Sequence, residues 1–303
     1  MIIVVCLNPA LDVTHHVEAV DWGGVNRPRT VHARPGGKGL NVARTLHALG
    51  VDVLVLGLAG GITGAGMETA LRERCVPAAF TPVAGETRRT FSVVDDSRVT
   101  AFYEPGPTVG EEEFAGFRRG YEQALDGASA VVLSGSLPPG LEAGTYATLI
   151  QAAGIPAVLD THGEALRLGA AAGAAIVKPN LAELESLTGH PLATPDEVIA
   201  AAGQLGGAQA VVVTLGPDGL LAATGDGCWR ARAPASVAGN ATGAGDAVAA
   251  ALAHGLVLGR PWDERLRHAA ALGAATAAAP VAGEFRRHDY LGALTAVTVE
   301  EVR

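Results

Sequence analysis

Gly239-Asn240-Ala241-Thr242-Gly243-Ala244-Gly245-Asp246 leads directly into an Ala-rich stretch, residues 247–258. Glycines at 243 and 245 let the backbone approach a ligand closely. The helix that follows begins with unpaired N–H groups and the positive end of its dipole. Together these make an anion hole suited to a phosphoryl group in transit. Asp246 stands at its mouth, where a carboxylate can take a proton from an attacking hydroxyl as general base. A carboxylate at that place also serves as a helix cap after a glycine turn.

Working outward from this segment, apolar runs alternate with amphipathic ones. Spacing predicts helices over 111–125, 145–153, 181–187, 247–258 and 264–278. Short β-branched or apolar runs predict strands over 130–133, 157–160, 174–177 and 211–214. Alternation of this kind implies a mainly parallel sheet covered by helices on both faces. Nearer the N-terminus, Ile2-Ile3-Val4-Val5 reads as a buried strand, 40–49 as a helix ended by Gly50, 51–58 as a second strand and 67–75 as a short helix. Two inserts break the rhythm. One carries short strands near 13–20 and 30–33; the other is a hairpin, 90–94 and 99–103, around Asp95-Asp96-Ser97-Arg98. Neither has a core of its own, so the two are expected to pair into a small β-sheet lid, with segments at about 11–34 and 87–104 inserted in one α/β unit spanning 1–303. A lid over a phosphoryl-transfer site excludes water.

The composition agrees. The 303 residues are 49% hydrophobic but only 4% aromatic, with 40 glycines, which suits close helix-on-sheet packing joined by tight turns. A net charge of −9 argues against a nucleic-acid partner, which would need a basic face. Cys6, Cys75 and Cys228 are scattered, without a CxxC, as expected of reduced thiols in a cytoplasmic protein. Residues 1–9 lack a basic n-region and a long apolar stretch, so no secretory signal is expected, and no run reaches membrane-spanning length.

Three further segments carry chemistry. Pro35-Gly36-Gly37-Lys38-Gly39-Leu40-Asn41 is a glycine turn opening a helix; Gly39 follows Lys38 where a Walker A loop requires Ser or Thr. Lys38 can hold a phosphate there and Asn41 can bond a sugar hydroxyl, although an ordinary tight turn would look the same. Lys178-Pro179-Asn180-Leu181-Ala182-Glu183 puts an amide and a carboxylate three residues apart at a helix start. That pair can position a hydrated Mg²⁺ through water, or cap the helix, or both. Thr214-Leu215-Gly216-Pro217-Asp218-Gly219 is a turn after a buried strand, at the carboxyl edge where open α/β sheets bind nucleotides; it is equally a good hairpin turn. Other candidates are weaker. His15 and His16 are adjacent in a strand and point to opposite faces; His162, just after a strand end, is placed to approach the site but reads more simply as a loop residue; the three tryptophans are dispersed, and Gly64-Ala65-Gly66 lacks the third glycine of a dinucleotide fingerprint.

In this order, the four segments resemble the ribokinase-like (PfkB) carbohydrate kinase family. Gly36-Gly37-Lys38-Gly39 with Asn41 resembles its first signature, Gly243-Ala244-Gly245-Asp246 its second, and Lys178-Pro179-Asn180 with Glu183 its metal and phosphate motif. Within the family the chain is most similar to the 1-phosphofructokinase and tagatose-6-phosphate kinase branch. Leu7-Asn8-Pro9-Ala10 with Asp12, Val25-Asn26-Arg27, Thr87-Arg88, Glu104-Pro105-Gly106-Pro107 and Ser134-Gly135-Ser136-Leu137-Pro138 carry that likeness. It departs from the common pattern at Cys6, at Ala241-Thr242 and at Ala247, none of which removes a charge.

The resemblance implies a three-layer α/β/α sandwich and an ATP- and Mg²⁺-dependent phosphotransferase acting on a ketohexose monophosphate. Fructose 1-phosphate is preferred as the acceptor. Tagatose 6-phosphate and fructose 6-phosphate follow, then an unphosphorylated sugar or nucleoside, and last a non-catalytic sugar-phosphate sensor. Asp12 and Asn41 would bind sugar hydroxyls. Gly37, Lys38, Arg88 and Ser136 would line the sugar-phosphate end, with Arg27 or Arg29 as further cations. Lys178, Asn180 and Glu183 would serve the ATP phosphates and Mg²⁺, and Thr214, Gly216 and Gly219 the nucleotide. Gly243, Ala244 and Gly245 would stabilise charge on the transferred group, with Asp246 as base. The resemblance also implies a homodimer with the lids in contact.

Overall fold

Ile2–Cys6 (β1) is apolar and buried throughout. Ile2, Val4 and Cys6 enter one hydrophobic cluster, while Ile3, Val5 and Leu7 enter another. A strand whose alternate side chains feed two cores has helices on both of its faces. The computed structural model describes residues 1–95, 98–233, 242–279 and 283–302.

Along the chain follow β2 (Ala10–His16), β3 (Thr30–Gly36), α1 (Lys38–Ala48), β4 (Val53–Ala59), α2 (Gly61–Glu73), β5 (Ala78–Pro82), β6 (Arg88–Val94) and β7 (Val99–Tyr103). Next come α3 (Glu111–Ala124), β8 (Ala130–Ser134), α4 (Thr145–Ala153), β9 (Ala157–Asp160), α5 (Gly163–Ala171), β10 (Ile176–Val177), α6 (Leu181–Thr188) and α7 (Pro195–Gly203). The chain closes with β11 (Ala210–Thr214), β12 (Leu220–Thr224), β13 (Gly227–Arg232), α8 (Ala244–Val257), α9 (Trp262–Ala277), α10 (Arg287–Ala296) and β14 (Thr298–Val302).

The central sheet is ten-stranded, in the order β14-β13-β12-β11-β10-β9-β8-β1-β4-β5. It is parallel from β5 to β11 and antiparallel from β12 to β14. One face is covered by α1, α2, α8 and α9, through residues such as Leu46, Met67, Leu252 and Leu272. The other is covered by α3 to α7, through Phe117, Tyr146, Leu166, Leu184 and Val198. This is the expected three-layer sandwich. Its Ala-rich α8 is buried on almost every side, because small side chains let α1 and α9 close on it. Among the described residues no helix is long and apolar enough to cross a membrane.

The two inserts pair into a separate four-stranded sheet, β3-β2-β6-β7, in which β2 and β6 run parallel. Its register places Asp12 opposite Arg34 on β3 and Thr90 on β6, and Thr90 opposite Tyr103. All four side chains line the face turned toward the central sheet. Residues 96 and 97 of the expected hairpin turn lie outside the described residues.

Some boundaries differ from expectation. The helix expected at 67–75 starts at Gly61, because its first amides are capped from a distance: Ile62 N and Thr63 N donate to the carboxylate of Glu86 at 3.3 and 2.6 Å. The strand expected over 174–177 is only Ile176–Val177.

Candidate active site

Lys178 and Thr214 stand at the carboxyl ends of the parallel strands β10 and β11, and the described parts of the other motifs gather beside them. There they surround a cavity of about 550 Å³ between the central sheet and the lid.

The floor is the start of α8. Gly243, its N-cap, has φ 87°, a left-handed conformation that glycine adopts without penalty. Glycine has no side chain to cap the helix itself, and Gly243 and Gly245 form part of the cavity wall. Asp246 stands in the first turn and is buried. Asn41 Nδ2 donates to Asp246 Oδ2 at 2.7 Å. Burial, reinforced by the negative charge of Asp160, pushes the Asp246 carboxyl up to about 6 against the pull of Lys38, the Asn41 hydrogen bond and Lys178. A carboxylate in that range is a competent base near neutrality. Gly239, Asn240 and Ala241 of the same motif lie outside the described residues.

The start of α1 is the second wall. Gly37, its N-cap, has φ 91°. Gly39 lets α1 lie on β1, since a Cβ there would come within 2.6 Å of the Cβ of Cys6. Lys38 points in from this turn, but not as a free cation: Nζ donates to Asp160 Oδ1 at 3.0 Å and to Glu183 Oε1 at 3.3 Å. Lys178, almost fully buried, lies 3.3 Å from the same Asp160 oxygen. Burial opposes the charge on Asp160, yet the two ammonium groups outweigh it and hold this carboxyl below its ordinary value. Asp246 and the lysine-bearing turn therefore share one cleft.

Asn180 and Glu183 form a reciprocal cap on α6: Glu183 N donates to Asn180 Oδ1 and Asn180 N to Glu183 Oε2, both at 2.8 Å. With Lys38 also on Glu183, this carboxylate has little capacity left for direct metal ligation. A bridge between Asn180 and Thr214 brings the third and fourth motifs together, and both residues line the cavity. Gly216 and Gly219 are not on its wall. They belong to a single 3₁₀ turn between β11 and β12, where a Cβ on Gly219 would strike the carbonyl of Ala231. Ala244 and Glu183 are also off the wall.

The lid side holds the remaining groups. Thr90 Oγ1 donates to Asp12 Oδ1 at 2.5 Å. Arg88 is fixed by two carbonyls, Nε donating to Asn8 O at 3.1 Å and Nη1 to Glu104 O at 3.3 Å. Ser136 accepts from Asn8 Nδ2 at 3.2 Å. The other cations expected there are elsewhere: Arg27 and Arg29 are exposed, and Arg29 pairs with Glu18 at 2.6 Å. Arg34, unmarked in the sequence, occupies that wall instead, 3.9 Å from Glu284. His162 lines the cavity, and Asp160, at the end of β9, is the hub of its ion pairs.

Residues 4–286 match the model of the pfkB family carbohydrate kinases. Solved structures agree over nearly the whole chain. A Thermotoga maritima protein described as "Possible 1-phosphofructokinase" is 28% identical, with a TM-score of 0.91 over 100% of this chain and 99% of its own. Phosphofructokinase-2 from Escherichia coli, in complex with fructose-6-phosphate, is 31% identical, with a TM-score of 0.87 over 97% and 98%. A Clostridium perfringens protein described as "a putative sugar kinase", 19% identical with a TM-score of 0.76 over 100% of this chain and 97% of its own, shares the architecture alone. The chain thus belongs to the pfkB family of carbohydrate kinases, and it is a phosphotransferase of the phosphofructokinase-like kind.

Proposed function

We propose that the protein transfers the γ-phosphoryl group of ATP to a hydroxyl of a ketohexose monophosphate, preferably converting fructose 1-phosphate to fructose 1,6-bisphosphate. The observation that carries this reading is the pairing, in one cavity, of a base raised toward neutrality at a helix N-terminus with arginines on the opposite, lid-side wall. Asp246 takes the proton of the attacking hydroxyl. Asn41 holds one of its oxygens and leaves the other for that proton. The first amides of α8, around Gly243, Ala244 and Gly245, meet the charge on the phosphoryl oxygens. Because the transition state is loose, positioning and charge stabilisation supply most of the acceleration.

Lys178, Asn180 and Thr214 are the groups we assign to the ATP phosphates, with Gly216 and Gly219 shaping the turn beside them. Among the described residues no cluster of three or more His, Cys, Asp or Glu could cage a metal. The donors fit Mg²⁺ carried on the nucleotide phosphates and reached by Asn180 and Glu183 through water. When bound, the ion would neutralise phosphate charge. Segments 11–34 and 87–104 would close over the acceptor as a lid, with Asp12 on its hydroxyls and Gly37, Lys38, Arg88 and Ser136 toward its phosphate. We also read the opposite face of the lid, where Val31 and Phe102 are exposed, as the contact of a homodimer. Three free cysteines fit a cytoplasmic setting.

Fructose 6-phosphate is the second reading, favoured by the likeness to the E. coli enzyme solved with that sugar phosphate. A coupled assay across fructose 1-phosphate, fructose 6-phosphate, tagatose 6-phosphate and fructose separates these, and kcat/KM is expected to be highest for the first. Arg88→Ala is expected to cost the phosphorylated acceptors about 1.5–3 kcal/mol and fructose little. An equal loss on both would remove the phosphate from Arg88.

A further inference from the structure

Among the half-buried charges that the reaction scheme leaves idle is Arg44. It lies on α1, three residues after Asn41, and two hydrogen bonds fix its guanidinium. Nη1 donates to the carbonyl of Pro35 at 2.7 Å, and Nη2 donates to Asn41 Oδ1 at 2.6 Å. A guanidinium has donors and no acceptor. The amide atom facing it must therefore be oxygen, and the nitrogen must point the other way, where it donates to Asp246 Oδ2. A flipped amide would set NH₂ against the guanidinium and C=O against the carboxylate, two repulsive contacts at a buried place.

We propose that Arg44 is a positioning residue for the base: it fixes the Asn41 amide so that a donor always faces Asp246 Oδ2, and Oδ1 is left to take the proton. This inference rests on the reading of Asp246 as base. Two features around the pair support it. Pro35 lies at the foot of the lid, where β3 runs into α1, so the same side chain ties the base to the lid root. Gly283 packs closely on the pair: a Cβ there would stand 3.1 Å from Asn41 Oδ1 and 3.3 Å from Arg44 Nη2, so a side chain would press on both. Arg44 is faced by Arg34 from β3, Asp12 from β2, Glu284 and Arg74; burial lowers its pKa to about 10, so it stays charged at neutral pH. Asp246 is faced by Asp160, Lys38 and Lys178, none of which orients the amide.

The test is a double-mutant cycle of Arg44→Met and Asn41→Ala, with Arg44→Lys alongside, reading kcat, KM and the acid limb of the pH–rate profile. Arg44→Met is expected to lower kcat about tenfold or more and to move the acid limb up by about one pH unit, because the carboxylate loses its fixed donor. In the Asn41→Ala background the same change is expected to add less than about twofold. Arg44→Lys keeps the charge but not the fork, so an intermediate loss with the same direction of shift is expected, and it carries the test if Arg44→Met does not fold. An unmoved acid limb in both Arg44 variants, or an equal loss with and without the Asn41 amide, would overturn the proposal and leave Arg44 a packing residue. Asp246→Asn run in parallel separates the two levels: turnover surviving in that variant removes the base itself, whatever the cycle shows.

Discussion

Replacing Asp160 by Asn removes a charge that two lysines share. The carboxylate has no exposed surface, and its Oδ1 lies 3.0 Å from Lys38 Nζ and 3.3 Å from Lys178 Nζ. Lys38 keeps Glu183, but among the described residues Lys178 has no other ion pair. Removing one partner of a buried ion pair costs about 3–5 kcal/mol, because the remaining charge stays in the interior unpaired. With an unfolding entropy of about 2.1 cal/mol/K per residue, a chain of 303 residues loses about 5–8 °C of Tm for that cost. The sign of the pH dependence follows from the depressed pKa of Asp160. Its contribution is present above the ordinary value of 3.8 and is lost as pH falls through the lower folded value, so the gap between wild type and Asp160→Asn narrows in acid. A second effect reaches Asp246. Asp160 helps to raise the Asp246 carboxyl, so its removal moves the acid limb of the rate profile to lower pH. Thermal unfolding from pH 3 to 8, with kcat/KM over the range where the variant is folded, measures both. An unchanged Tm at neutral pH, or an acid limb that moves upward, would refute the hub assignment.

In the unsubstituted enzyme, kcat/KM is expected to rise with pH through about 6, as Asp246 becomes the carboxylate that can accept a proton; a rate already flat below pH 5 would contradict that. The same shift makes a stability prediction of opposite sign. The folded pKa of Asp246 is raised from 3.8 to about 6, so its favourable contribution is complete below 3.8 and gone above 6. At neutral pH the ionised group then costs about 2–3 kcal/mol, and Asp246→Asn is expected to raise Tm even as it removes the base; a lowered Tm would count against the burial argument.

Much of the site was legible because its motifs are local. Glycine turns next to helix starts mark Gly37 and Gly243 without knowledge of the fold, and the apolar runs of β1, β4, β8, β9 and β11 mark the parallel sheet. What the sequence hid depends on partners far along the chain. Arg34 reaches the cavity only because the lid register sets β3 beside β2, and nothing beside Pro35 signals that. Asp160 becomes a hub only when α1 and the residue after β10 bring two lysines to it. A carboxylate ending a buried strand at the edge where ligands bind was nonetheless a usable signal. The helix at 195–203 was also within reach, since Thr194, Pro195 and Glu197 spell a capping box with proline at the first turn. β5 and β14 were not, being short, half-exposed edge strands with no clean alternation.

The central claim is that Asp246 removes the proton of the acceptor hydroxyl. Steady-state turnover of Asp246→Asn, together with acceptor affinity by calorimetry, addresses it most directly. A fall in kcat of about 10²-fold or more, with acceptor affinity nearly unchanged, is the outcome expected of a base whose hydrogen bond to Asn41 survives the substitution in shape but not in charge. Turnover close to that of the unsubstituted enzyme would show that the proton leaves by another route.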